Sequence, residues 1–479
     1  MTDRLRRSLS CLYDANYPQA EVEFTVSTQG ARTRGKMNNA FGPMDRAKLS
    51  GTIRALVERR DRLLGPAYRL FYRNPIEVSR GSGVILYDSE GRDYLDAYNN
   101  VVSVGHAHPR VVDAVSRQMS ILCTHTRYIQ HGILSYAEQL LGTFTGRIGA
   151  TGHAMFTCTG SEANDLALRI AEHYTGNLGV IVTAEAYHGN SHRTAGISPA
   201  LGENSPLGQW VRTIPTPDSY RITEDCLPQW FADQVALQIA DLKRHGQGVA
   251  AFIVDSLFSS DGIYSEPTTL LGPAIEVVRK EGGVFIADEV QCGFARTGDA
   301  MWGYQRHGVD PDIVTMGKPM GNGFPVAGIT VAPEVVACFG HDIRYFNTFG
   351  GNTVAIAAAK ATLDVIQAEG LLQNSRIVGA ELKKQLQVLT GRYECVGDVR
   401  GQGLYLGVEI VQSRHTKTPD TRRATAIVNG LRERRVLISA TGVQANILKI
   451  RPPLVFSLSD VDRLMEELRA VIAEVEAAG

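Results

Sequence analysis

DIVTMGKPMGNGFP (312–325) carries a lysine from the end of a short apolar run into a glycine-rich turn. Residues 313–316 read as a buried strand, which Gly317, Pro319, Gly321 and Gly323 then break off. A lysine is rarely buried without a partner, so Lys318 taken alone is a solvated side chain just past a strand end. The rest of the chain changes that reading.

Three earlier segments repeat the pattern of an apolar run that ends in polar residues: GVIVTAEAYHG (179–189), VAAFIVDS (249–256) and GGVFIADEVQ (282–291). Helical patterns lie between them. Strands alternating with helices predict an α/β domain with a mostly parallel sheet. In such sheets ligands bind beyond the carboxyl ends of the strands, where Tyr187, Asp255, Asp288 and Lys318 would gather.

The remainder of the chain is assigned around that domain. VILYDSEGRDYLDA (84–97) alternates about a turn at 88–91 and predicts a hairpin. Residues from about 50 to 62 predict an amphipathic helix. The last run, SDVDRLMEELRAVIAEVEAA (459–478), places Val461, Leu464, Met465, Leu468, Val471 and Ile472 on one face, with Ser459 and Asp462 as its expected cap. The expected organisation is an extension over 1–48, the first part of a small domain over 49–95, a large domain over 96–362, and the rest of the small α+β domain over 363–479.

Composition excludes several function classes. With 49 basic and 50 acidic residues, the chain has no net field to favour nucleic acid or an anionic membrane. A hydrophobic share of 44% with 21% charged residues is that of a globular protein. The seven cysteines include no CxxC pair and are odd in number, which suits a reducing cytoplasm better than a disulfide framework. No apolar run is long enough to span a membrane, and the basic start MTDRLRRSLS is not followed by a signal-type apolar stretch.

Two further stretches carry chemistry. In TCTGSEANDLALRIAEHY (157–174), Thr159 and Glu162 form a helix-start signature, and Gly160 with Ser161 would open backbone N–H groups to an anion. In FIADEVQCGFARTG (285–298), Asp288 ends an apolar strand, where a carboxylate is costly unless it meets a cation. No second carboxylate and histidine stand at ligand spacing, so no metal is expected. A lysine, a strand-end aspartate and a helix-start phosphate site are what pyridoxal phosphate needs: an amine for its aldehyde, an acid for its pyridine nitrogen and an anion cradle.

GSEAN, AYHG, FIADEVQCGFARTG, DIVTMGKPMGNGFPVAG and FNTFGGN, in this order, resemble the class III aminotransferases, fold-type I enzymes that depend on pyridoxal phosphate. The resemblance runs from about Asn74 to the C-terminus. It implies a large domain built on a seven-stranded, mostly parallel sheet flanked by helices. It also implies that Lys318 is the Schiff-base lysine, that Asp288 pairs with the pyridine nitrogen, and that Gln291 bonds the phenolic oxygen. Tyr187 would stack on the ring. Gly160 and Ser161 would hold the phosphate, joined by Thr348 from a neighbouring subunit, so a homodimer or tetramer with shared sites is expected. His106 and His108 of the GHxHP turn are expected to be structural.

The substrate pocket departs from the aminotransferase pattern. NNVVSVGHAHP (99–109) has Asn99 and Asn100 where many relatives carry a Gly-aromatic pair, and THTRYIQHG (124–132) brings Arg127, a group able to grip phosphate by two parallel bonds. Asp255-Ser256 stands where aminotransferases commonly carry Glu-Pro. Together with IPTPDSYR (214–221) and ILKIRPP (447–453), these features are similar to the ethanolamine-phosphate phospho-lyases and their 5-phosphohydroxylysine relatives. The expected reaction is β-elimination of phosphate from O-phosphoethanolamine to give acetaldehyde, ammonia and phosphate. Asn99, Asn100, Arg127 and, as a second basic candidate, Arg451 are the expected substrate residues. The alternatives are an ω-aminotransferase using pyruvate or another oxo acid, and a 5-phosphohydroxylysine phospho-lyase.

Overall fold

A computed structural model describes residues 39–477. Most of the expected extension, 1–38, lies outside the described residues. Asn39 is already tied to the small domain: the Ser439 hydroxyl donates to Asn39 Oδ1 at 2.8 Å, and the Tyr72 N–H donates to the Asn39 carbonyl.

The central sheet has seven strands: β1 (His153–Thr157), β2 (Gly179–Thr183), β3 (Val211–Ile214), β4 (Val249–Asp255), β5 (Val284–Asp288), β6 (Ile313–Met316) and β7 (Ala327–Val331). Their spatial order is β1-β7-β6-β5-β4-β2-β3. β7 runs antiparallel to β1 and β6, and every other pairing is parallel. The mostly parallel α/β sheet expected from the alternating runs is therefore present.

Both faces of this sheet are covered, which is why its strands read as unbroken apolar runs. Along β4, Phe252 and Val254 enter one core with the helices Leu227–Arg244 and Leu271–Lys280. Ala251 and Ile253 enter the opposite core with Gly160–Thr175 and Pro333–Asp342. Each large side chain buried in this way contributes roughly 1.5–3 kcal/mol. The Gly160–Thr175 helix buries Ala163, Leu166, Ala167, Ile170 and Ala171 as the spacing predicts. Tyr174, which the same helical spacing would place on that face, is 44% exposed at the last turn of the helix.

The smaller domain is assembled from both ends of the chain. Ile85–Asp88 and Asp93–Asp96 form the expected hairpin, and the second strand pairs in parallel with Val436–Leu437. A four-stranded antiparallel sheet places Tyr405–Ile410 between Val396–Gln402 and Ile447–Ile450. The C-terminal helix Leu458–Ala477 buries all six predicted apolar residues. Its cap lies two residues earlier than the pattern indicated. Ser457 Oγ accepts from the Asp460 N–H while Asp460 Oδ2 accepts from the Ser457 N–H, a reciprocal box at the same three-residue spacing.

Candidate active site

Parallel strands deliver their last residues to one edge of the sheet. Asp255 ends β4 and Asp288 ends β5, and the two are register partners. Lys318 follows β6 by two residues and Tyr187 follows β2 by four. A cavity of 100 Å³ opens there, lined by Gly160, Ser161, Tyr187, Asp288, Gln291 and Lys318. With Asp255, which also lines it, seven residues read from sequence share one cavity, joined by Asn164 and His188.

Asp288 is the most constrained member. Its Oδ2 accepts from Asn164 Nδ2 at 2.9 Å and lies 2.7 Å from His188 Nδ1, while Oδ1 accepts from the Val290 N–H. Neither Asn164 nor His188 was singled out from sequence. Asn164 closes the GSEAN run one helical turn past Gly160, and His188 follows Tyr187, so each sat beside a recognised residue.

Lys318 forms no hydrogen bond among the described residues. Burial pushes its amine down to about 8, with Arg451 adding to the fall and Asp288 and Asp255 opposing it. The turn behind it is locked in place: Ser103 Oγ donates to the Pro319 carbonyl, and Asn322 Oδ1 accepts from the Val104 N–H. Burial raises the Asp255 carboxyl, and the neighbouring Asp288 raises it further.

Gln291 joins the two domains. Its Nε2 donates to Asp255 Oδ2 at 3.3 Å, and its Oε1 accepts from the Tyr405 hydroxyl at 3.2 Å and from the Arg451 guanidinium. Arg451 is 6% exposed, also donates to the Tyr98 carbonyl, and has no carboxylate partner among the described residues. Lys449, two residues earlier and also buried, was missed. It reads as an ordinary strand lysine until the strand's facing is known.

The other expected substrate residues lie differently. Asn99 Oδ1 accepts from the Val101 N–H and shapes its own turn. Asn100 is buried and donates to the Gln291 carbonyl at 3.1 Å, while its Oδ1 has no partner among the described residues. Arg127 is exposed and stacks over Phe346, 3.8 Å from the ring centre, and so lies outside this chain's own cavity. Thr348 is exposed in the same neighbourhood. Ser256, from the Asp-Ser pair, is buried and donates to Glu289, whose carboxyl burial pushes up to about 7. His106 bonds Asp96 and His108 bonds Glu369; no group of three or more metal-ligating side chains occurs among the described residues.

The aminotransferase class-III family model matches residues 70–472. The chain belongs to that family. Within it, a phospholyase from Arthrobacter in complex with phosphoethanolamine superimposes with a TM-score of 0.84 at 42% identity, over 87% of this chain and 99% of that one. An ethanolamine-phosphate phospho-lyase homologue of Caenorhabditis elegans is 38% identical over 87% of this chain and 93% of its own. An alanine–glyoxylate aminotransferase 2-like protein of Drosophila melanogaster is also 38% identical, over 88% of this chain and 87% of its own.

The cofactor of this family is pyridoxal phosphate, and the cavity fits it. A buried carboxylate at Asp288 suits the pyridine nitrogen, and the Lys318 amine is unengaged. The helix start at Gly160 and Ser161 lines the cavity and turns its backbone N–H groups to an anion, and Gly160 backs so closely onto Val290, 3.0 Å from where a Cβ would stand, that a larger residue would not fit there.

Proposed function

We propose that this chain expels phosphate from O-phosphoethanolamine, releasing acetaldehyde and ammonia. One observation carries the reading: Arg451 and Lys449 are both buried, Arg451 donates to the cavity-lining Gln291 while the Lys449 amine meets only the Ser259 carbonyl, and neither has a carboxylate partner among the described residues. Buried cations left unpaired are costly, so such a pair is a site for an anion. The arrangement supports a phosphorylated substrate better than a simple amine, and the Arthrobacter phospholyase and the nematode homologue support the same assignment.

Pyridoxal phosphate, when bound, makes the carbon next to the substrate nitrogen acidic enough to lose a proton. Asp288, oriented by His188 and Asn164, would hold the proton of the ring nitrogen. Lys318 removes the proton from that carbon, a task its depressed basicity suits near neutral pH. Gly160 and Ser161 would supply donors for the cofactor phosphate, Gln291 would bond its phenolic oxygen, and Tyr187 would stack on its ring. Arg451 holds the substrate phosphate, a favourable charge contact worth about 3 kcal/mol as negative charge develops.

A second copy of the chain completes the site. Ile121, Leu122, Ile129 and Phe349 are exposed apolar residues around Arg127 and Thr348, a surface suited to covering by a partner that receives both polar groups. The aminotransferase reading keeps a rival place because of the Drosophila relative.

The deciding experiment incubates the loaded protein with O-phosphoethanolamine and no oxo acid. Equal release of phosphate and acetaldehyde, lost in Lys318→Ala, supports the lyase. Absence of release, with amino transfer to pyruvate from a simple amine, returns the chain to the aminotransferases.

A further inference from the structure

Strand Ile447–Ile450 alternates between two environments. Leu448 and Ile450 enter the core of the small domain, while Ile447 packs with Leu257, Ile263, Cys292 and Tyr405 at the junction with the large domain. Lys449 lies on the same face as Ile447 and Arg451. Its Nζ is 3.3 Å from the Ser259 carbonyl oxygen and 5.7 Å from the centre of the Tyr405 ring, whose hydroxyl donates to Gln291. That single carbonyl is its only hydrogen-bond partner among the described residues, and Lys449 as a residue is 8% exposed.

Two cations serve this face, and they differ chemically. A guanidinium keeps its proton, whereas an amine in a low-dielectric site can give its proton away. A departing phosphate needs such a donor. The ester dianion can leave only as a trianion unless one oxygen is protonated as the bond breaks.

We propose that Lys449 is the acid that protonates the phosphate as it leaves, while Arg451 holds that group by charge; this rests on the phospho-lyase reading above. The carbon–oxygen bond breaks, its electron pair stays on the phosphate oxygen, and a proton from Lys449 Nζ forms the new O–H. Hydrogen phosphate departs, and the neutral amine regains its proton from water. The surroundings suit the transfer. Burial pushes Lys449 well below its usual range, Arg451 and Lys318 push the same way, and Asp255 opposes them. An arriving phosphate dianion favours the charged amine and loads it with the proton to be given.

The test uses holoenzyme carrying Lys449→Arg or Lys449→Met, with O-phosphoethanolamine and with O-sulfoethanolamine, whose sulfate leaves as a dianion and takes no proton. For Lys449→Arg the expected result is a kcat about 100-fold lower on the phosphate ester, with loss of the alkaline limb of its pH profile and an unchanged kcat on the sulfate ester. Calorimetric titration of inorganic phosphate, which involves no turnover, should give similar affinity for wild type and Lys449→Arg and weaker affinity for Lys449→Met. Full kcat of Lys449→Arg on the phosphate ester overturns the proposal, as does an equal loss on both esters. Wild-type enzyme that releases no phosphate overturns the phospho-lyase reading and the acid role together; release by Lys449→Arg at the wild-type rate removes the acid role alone.

Discussion

Asp255 and Asp288 are register partners at the ends of adjacent parallel strands, two carboxylates delivered to one cavity. The sheet separates their roles by their neighbours. Asp288 is gripped by His188 and Asn164, whereas Asp255 accepts from the Leu257 N–H and from Gln291, and its carboxyl is raised by burial and by Asp288 itself.

Both carboxylates hold up the basicity of Lys318 against burial and Arg451, with a net value of about 8. The free amine therefore grows as pH rises through about 8 rather than through the ordinary lysine range. Asp255→Asn removes a favourable charge and should move that midpoint lower. The measurement is the rate at which apo-protein takes up pyridoxal phosphate across pH 6–10. An unmoved midpoint would show that Asp255 does not act on the lysine.

His188→Ala removes the partner that sits 2.7 Å from Asp288 Oδ2. A hydrogen bond to a charged group is worth roughly 1.5–3 kcal/mol, so turnover should fall about 10- to 100-fold while Lys318 still reacts with the cofactor. Asp288→Asn should cost more, because it removes the group that holds the ring proton. The check is kcat beside the cofactor dissociation constant for both variants. Equal effects from the two would contradict a supporting role for His188.

Much of this site was legible because its parts are local. Lys318, Asp288 and Tyr187 each lie at or within four residues of a strand end, and a run of apolar residues announces such an end without knowledge of its neighbours. Gly160 and Ser161 open a helix whose cap is written in Thr159 and Glu162. Lys449 was hidden for the opposite reason. Its neighbours on the strand face, Ile447 and Arg451, gain meaning only when two domains meet, over a separation of 158 residues between Gln291 and Lys449 that no periodicity encodes. Asn99 and Asn100 show how a turn serves itself: Asn99 Oδ1 accepts from the Val101 N–H and Asn100 Nδ2 donates to the Gln291 carbonyl, while Asn100 Oδ1 keeps no partner among the described residues.

The segment IPTPDSYR, read from sequence only as part of a resemblance, has a mechanical role between the domains. Arg221 bonds Glu409 at 2.6 Å, Glu409 bonds Arg400 at 2.7 Å, and Arg400 donates to the Gly262 carbonyl. Burial pushes the Glu409 carboxyl up, but Arg400 and Arg221 more than reverse this and leave it below its ordinary value. The stabilisation is therefore complete above the unfolded glutamate pKa, about 4.3, and is lost as pH falls through the lower folded one. Glu409→Gln takes one of two carboxylates from each guanidinium, since Arg221 keeps Asp218 and Arg400 keeps Asp398, and should lower stability by roughly 1.5–3 kcal/mol at pH 7, with a smaller difference in acid. Urea denaturation of the apo-protein at pH 7 and at pH 3, below the unfolded glutamate value, gives the answer.

Thr348 and Lys318 supply a test of the shared site that holds whichever substrate the enzyme turns over. Thr348→Glu would place a negative charge where the cofactor phosphate of a neighbouring site should lie, and Lys318→Ala removes the amine, so each variant alone should be inactive. When the two are unfolded together and refolded at equal concentration, half of the dimers carry one chain of each kind. If every site takes Lys318 from one chain and Thr348 from the other, a mixed dimer has one doubly damaged site and one intact site. The mixture should then recover about a quarter of wild-type activity, as two-fold symmetry requires. If both residues served the same site from one chain, every site in the mixed dimer would carry one lesion, and no activity would return.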